Sequence, residues 1–96
     1  MFMQMDKKTV ASDLGFTVHR DDAFTLSYRE GEHVLKFELE LSGLKEYGVL
    51  IYSDSSLSQR WQPPFDQEAV SPEKKQQIVE RVLAAMKFMG KNPRVL

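Results

Sequence analysis

The chain has 96 residues, 13 basic and 14 acidic side chains, a formal net charge of −1 and no cysteine. This length predicts one domain, residues 1–96, with a single modest core. The charge balance argues against nucleic acid as a partner, because phosphate binding needs a basic excess, and the lack of cysteine excludes disulfides and thiolate chemistry.

Two further features bear on where the protein works. No apolar run approaches the roughly 20 residues that span a bilayer, so we expect no membrane association. The opening "MFMQMDKKTV" has no apolar stretch or small-residue cleavage site of a secretory signal. Together these observations predict a cytoplasmic protein.

The N-terminal segment, residues 1–15, is ambiguous. Its "DKKTVASDLG" is compatible with a short helical turn that ends at Gly15 or with an extra edge strand. Residues 16–61 are instead predicted to form an antiparallel sheet, because from Phe16 to about Tyr52 apolar and polar side chains alternate, which is the period of a strand with one buried face. The runs "FTVHR", "FTLSYR", "HVLKFELELS" and "YGVLIYSD" predict four strands, with turns at Asp21–Asp22, Gly31 and Gly43.

Within these strands the alternation assigns side chains to faces. The inward residues are predicted to be Phe16, Val18, Phe24, Leu26, Tyr28, Leu35, Phe37, Leu39, Leu41, Tyr47, Val49 and Ile51. "YGVLIY" also carries Leu50 and Tyr52 on its other face, which predicts a central strand or a covered outer face.

The last third predicts a helix over residues 72–89. Ser71 suits the N-cap, Pro72 the first helical position, and Gly90 the C-terminal stop. An apolar stripe runs along one side, formed by Ile78, Val79, Val82, Leu83, Met86 and Met89. Phe88 falls outside the stripe, so we expect it to pack against a chain terminus or to be exposed.

These elements predict an α+β protein: an antiparallel meander of about four strands with one C-terminal amphipathic helix on its apolar face. Residues 62–71 form a Pro-rich connector between sheet and helix. Pro63 and Pro64 predict an extended, polyproline-like path for it.

No pattern predicts catalysis, a cofactor or a metal site. His19 and His33 lack the spacing of zinc ligands. The serines of "SDSSLS" lack a GxSxG elbow and an adjacent base. Glu38 and Glu40 share a strand face about 6–7 Å apart, but a wet sheet face gives no burial to raise a carboxyl pKa.

The same residue types suit protein recognition. Arg and Trp dominate binding energy in many interfaces, and Arg60 and Trp61 stand side by side before the connector. Trp61 also suits the core, since a small domain needs large apolar side chains to fill its core. Of the two roles for Trp61, core residue or partner-binding anchor, the core role is favoured. The partner-binding candidates are Lys36, Glu38, Glu40, Tyr52, Asp54, Arg60 and Trp61.

The segment "SLSQRWQPPFD" followed by "SPEKKQQIVERVLAAMKFMG" resembles a family of small α+β immunity proteins of bacterial polymorphic toxin systems, which carry an Arg-Trp-x-x-Pro segment before a C-terminal helix. The resemblance covers residues 16–90. The matching residues are Arg60, Trp61, Pro64, Ile78, Leu83, Phe88 and Gly90.

The resemblance implies a non-catalytic protein that binds a cognate toxin domain and blocks its active site or a nearby surface. We expect the protein to be a monomer or a weak homo-oligomer. If that toxin is a nuclease, an acidic surface at Glu38, Glu40 or Asp54 would face its basic site. The alternative is a small adaptor or oligomerising module, which the apolar residues on both faces of "YGVLIY" favour.

Overall fold

The computed structural model describes residues 1–41 and 48–96, and within them the chain is α+β. Seven strands, one 3₁₀ turn and one helix follow one another. Their bounds are β1 Phe2–Asp6, β2 Thr9–Ser12, β3 Phe16–Arg20, β4 Thr25–Glu30, β5 His33–Leu41, β6 Val49–Tyr52, the 3₁₀ turn Ser56–Ser58, α1 Pro72–Phe88 and β7 Pro93–Val95. The expected count of about four strands was therefore too low.

One sheet contains all seven strands in the order β1 to β7. Every neighbouring pair is antiparallel except β6 and β7, which are parallel. The sheet extends beyond the predicted range of 16–61 at both ends. The N-terminal segment supplies a hairpin, β1 and β2, rather than a helical turn, because Val10 is fully buried opposite Val18. β7 was missed because three residues are too few for a period-two pattern.

The inner face of the sheet carries the core, as alternation predicted. Buried sheet residues are Val10, Phe16, Val18, Leu26, Tyr28, Leu35, Phe37, Leu39, Val49 and Ile51. β6 lies between β5 and β7, which confirms a central strand. Phe24 and Leu41 depart from the prediction, with 66% and 62% of their surface exposed, because Phe24 precedes β4 and Leu41 is the last residue of β5. The predictions for Gly43 and Tyr47 fall outside the described residues.

The helix begins at Pro72 as predicted and ends at Phe88, one residue before the predicted end. The Ser71 hydroxyl accepts a hydrogen bond from the Lys74 amide at 3.1 Å, and Pro72 is the first helical residue. At the other end, Gly90 has a φ of +81°, the amide of Gly90 bonds the Lys87 carbonyl, and the amide of Lys91 bonds the Met86 carbonyl, both at 3.0 Å. This is the Schellman arrangement, in which glycine supplies the left-handed residue.

The apolar side of α1 covers the inner face of the sheet. Its buried residues are Ile78, Val82, Ala85 and Met86. Phe88 is half-exposed, and its ring lies 5.5 Å from that of Phe2 between centroids, so it packs against the N-terminal strand. In the described part of the chain, no helix combines the length and apolar character needed to cross a membrane.

The connector takes a folded path rather than the predicted polyproline-like one. Two turns shape it: the Phe65 amide bonds the Gln62 carbonyl at 3.1 Å, and the Glu68 amide bonds the Phe65 carbonyl at 3.0 Å. The Pro63–Pro64 peptide bond is cis. The Gln62 amide also bonds the Val34 carbonyl of β5 at 2.8 Å, beside the part of β5 that β6 leaves unpaired.

A polar cluster joins the helix to the sheet. The Glu30 carboxylate accepts hydrogen bonds from Lys74 Nζ at 2.8 Å, from Arg81 Nη1 at 3.1 Å and from the Tyr28 hydroxyl at 2.5 Å. Arg81 also donates to the Tyr28 hydroxyl at 2.9 Å. Burial, together with the hydrogen bond to Glu30, raises the pKa of Tyr28 to about 12, so the phenol remains a donor at ordinary pH.

The same cluster makes stability depend on pH through Glu30. Burial opposes ionisation of this carboxyl, but the hydrogen bonds from Lys74 and Tyr28 and the charges of Lys74 and Arg81 outweigh it. The pKa of Glu30 therefore lies below its ordinary value of 4.5. A lowered folded-state pKa contributes stability that is fully present above the unfolded value and is lost as pH falls through the folded one.

We expect the stability difference between the wild type and Glu30→Gln to be constant down to about pH 5 and to shrink as pH falls further, through the lowered pKa of Glu30. Urea unfolding at a series of pH values measures it. The pKa values of Asp6 and Asp13 are also lowered. Their contributions to the pH dependence of stability cancel in the difference, because both proteins contain these residues. A difference that does not change with pH would contradict this role of Glu30.

Candidate functional site

Three of the seven predicted partner-binding residues lie together on the outer face of β5 and β6. Glu38 is directly opposite Tyr52, Glu40 is opposite Leu50, and both glutamates are exposed. With Phe24 and Leu57, these three side chains line a shallow hollow of about 620 Å³. We call this the acidic hollow, because among the described residues its lining holds two carboxylates and no basic side chain.

A hydrogen bond organises the acidic hollow. The Tyr52 hydroxyl donates to the Glu40 carboxylate across the strand pair. This bond, with desolvation and the charges of Glu40 and Glu38, raises the pKa of Tyr52 above its ordinary value of 10.0. Glu38 has no hydrogen bond or ion pair among the described side chains. Its carboxylate is therefore available to an incoming cation.

Phe24 and Leu57 were not predicted for this surface. Phe24 was assigned to the inner face, but the "DD" turn extends one residue further than expected: the Asp22 carboxylate accepts the Phe24 amide at 2.8 Å, and β4 begins only at Thr25. An aromatic ring beside carboxylates suits the alkyl chain and charge of a lysine or arginine. The turn signal at Asp21–Asp22 was the sequence feature that bore on the exposure of Phe24. No sequence feature indicated that Leu57 would line this surface.

Lys36 shares the strand but not the hollow. Its ammonium lies 3.6 Å from the Asp21 carboxylate, in a neighbouring depression of about 440 Å³ that includes His19 and Arg29. There His19 Nδ1 lies 2.7 Å from the Thr9 hydroxyl, while His19 Nε2 is 3.7 Å from Asp21. The longer distance exceeds hydrogen-bonding range, so the three groups do not form a nucleophile–base–acid relay.

The other predicted residues lie elsewhere. Asp54 is exposed in the turn after β6, and its charge acts on Lys75 of α1. Burial lowers the pKa of Lys75, whose ammonium donates to the Ser58 carbonyl at 2.6 Å. Arg60 is exposed and has no hydrogen bond or ion pair to any described residue.

Trp61 belongs to the core, in agreement with the favoured alternative. Only 7% of its surface is exposed, and its ring meets His33 edge-on at 5.0 Å between centroids. His33 in turn stacks on Phe65 at 3.9 Å and lies 3.0 Å from Glu68 through Nε2. Arg60 and Trp61 are adjacent in sequence but face different environments: Arg60 faces solvent and Trp61 faces the core.

Two kinds of group that the sequence offered, metal ligands and the serines of "SDSSLS", can be followed in the described residues. Among residues 1–41 and 48–96, no three His, Asp or Glu side chains converge as metal ligands would. In the "SDSSLS" segment the Ser58 hydroxyl donates to the Ser53 carbonyl at 2.8 Å and is fully buried. A hydroxyl held by backbone carbonyls in this way supports the turn rather than attacks a substrate.

A scan against family models matches none to this chain, and searches of curated proteins and of solved structures find no significantly similar protein. The described residues therefore define only the structural class of the protein. It is an α+β protein with one helix on a seven-stranded, mostly antiparallel sheet and an acidic, aromatic hollow on the outer face.

Proposed function

We propose that this protein is a non-catalytic immunity protein, which binds a cognate bacterial toxin domain in the cytoplasm and covers its active site or a nearby surface. The observation that carries the proposal is the acidic hollow. Two exposed carboxylates on β5 stand beside the exposed ring of Phe24, which precedes β4. A surface of this kind suits a basic partner, because complementary charge speeds encounter and selects the partner.

The resemblance in the Arg-Trp-x-x-Pro segment supports the same proposal from a different part of the chain. Trp61 of that segment is a core residue, so the contact with the toxin is assigned to the acidic hollow and not to the tryptophan. Arg60 is exposed and is retained as a second contact.

We expect the product of the neighbouring gene to kill cells that express it alone. Co-expression of the present protein should restore their growth. The Glu38→Lys/Glu40→Lys double variant should lose that protection, since reversing two interface charges is expected to weaken binding by roughly 30-fold or more. Colony counts after induction measure the effect.

Glu32→Lys is the control, because it makes one such charge reversal at another exposed glutamate, in the β4–β5 turn. It should protect like the wild type. A neighbouring product that is harmless to cells would contradict the proposed function. Full protection by the double variant would contradict only the assignment of the acidic hollow.

A second candidate function, an adaptor or oligomerising module, is favoured by exposed apolar side chains on β1 and on the residue before it. Met1, Met3 and Met5 are 93%, 65% and 59% exposed.

A further inference from the structure

Among the residues that the structure describes, the sheet has two edges, and only one of them is blunted. β7 is three residues long and begins with Pro93, which has no amide hydrogen to offer a further strand. β1 is five residues long and pairs through one side only, with β2. Its other side therefore presents unpaired backbone groups, which is the arrangement that accepts an added strand.

The side chains of β1 concentrate apolar surface at this edge. Met3 is opposite Ala11 on the outer face, and Met1 and Met5 flank it with more than half of their surface exposed. Leu14, in the turn after β2, is also 68% exposed. A hollow of about 330 Å³ lies beside them, lined by Met1, Phe2, Met3, Ala11, Ser12 and Asp13. Methionine adapts its shape readily and is favoured on surfaces that pack against other proteins.

The hydrogen-bond pattern identifies which groups are free. The Asp13 amide bonds the Met1 carbonyl at 3.2 Å, so the backbone groups of Met1 face β2. The register is regular from Met1 to Gln4, so Met3 also faces β2, and the amides and carbonyls of Phe2 and Gln4 face the open edge.

From these features we infer that β1 pairs antiparallel with β1 of a second copy of the chain, about a two-fold axis at Met3. Phe2 of each copy then opposes Gln4 of the other, and each such pair exchanges both of its backbone hydrogen bonds. On the outer face Met3 meets Met3, and Met1 meets Met5. The segment from Phe2 to Met5 has no charged side chain, so no like charges oppose one another.

The chain itself limits the contact to this segment. The register shifts between Gln4 and Asp6, and Lys7 and Lys8 follow at once. A bulge followed by lysines ends strand pairing. The two-fold contact uses the one open edge of each copy, so it closes as a dimer and does not propagate. It is independent of the acidic hollow and holds whether or not the partner is a toxin.

The test is sedimentation velocity of the full chain over a concentration series. The wild type should move from monomer to dimer as concentration rises. Met3→Lys and Met3→Glu should each weaken association at least about tenfold, because each places like charges opposite each other at the axis. An equimolar mixture of the two variants should associate again.

Leu41→Lys is the control, because Leu41 is similarly exposed at the end of β5 and should leave association unchanged. A further readout needs no variant: amide exchange at Phe2 and Gln4, but not at Met3, should slow as the wild-type concentration rises. A wild type that stays monomeric at millimolar concentration would overturn the inference. So would a mixture of the charged variants that does not associate, or a β1 edge that binds a strand of another protein and not its own copy.

Discussion

Trp61→Ala is expected to lower the free energy of unfolding by about 3–5 kcal/mol, the range for truncating a large aromatic side chain in a core. Trp61 packs with the core cluster and against His33, and almost none of its surface reaches solvent. Its removal leaves a void where the connector meets β5. Chemical denaturation monitored by far-UV circular dichroism measures the loss.

Arg60→Ala is the matched comparison, and its effect should stay within about 0.5 kcal/mol, as for exposed side chains without special contacts. The pair separates the architectural and recognition roles of the Arg-Trp segment. Trp61→Phe should recover part of the lost stability. If Trp61→Ala costs less than about 1 kcal/mol while abolishing partner binding, Trp61 is an anchor for the partner and not a core residue.

Arg81→Met is expected to cost about 1.5–3 kcal/mol, the range for hydrogen bonds to charged groups. Arg81 donates to Tyr28 and to Glu30, and its guanidinium lies 4.8 Å from the centroid of the Phe16 ring. Methionine retains most of the alkyl volume, so the loss reports the polar contacts and the cation–π contact. Thermal and urea unfolding measure it.

The control for Arg81 is Arg29→Met. Arg29 is exposed on the outer face of β4 and makes no hydrogen bond or ion pair with the described residues. Its replacement should change stability by less than about 0.5 kcal/mol. Equal losses in the two variants would mean that the cluster around Glu30 does not hold the helix to the sheet.

The middle of the sheet and the helix were predictable because their signals are local. Alternation in β3 to β6 reports burial on one face, and Ser71, Pro72 and Gly90 mark the helix ends through their own backbone preferences. The hairpin of β1 and β2 was not predictable in the same way. Val10 is buried as part of a core cluster to which β3 and the helix also contribute, which is a tertiary effect.

The acidic hollow was predictable in part. Glu38, Glu40 and Tyr52 follow from strand alternation and from the pairing of β5 with β6. Phe24 was not predicted there, because its exposure depends on where the turn at Asp22 ends, and strand boundaries are poorly encoded. The separate environments of Arg60 and Trp61 likewise depend on how the connector crosses β5.

The most direct test of the central claim is calorimetric titration of the purified toxin domain encoded by the neighbouring gene into this protein. The wild type should bind one-to-one with an affinity that falls as salt rises. Glu38→Lys/Glu40→Lys should bind roughly 30-fold more weakly or worse, and Glu32→Lys should match the wild type. Absence of binding by the folded wild type would contradict the proposed function, and equal affinity of the double variant would contradict the role of the acidic hollow.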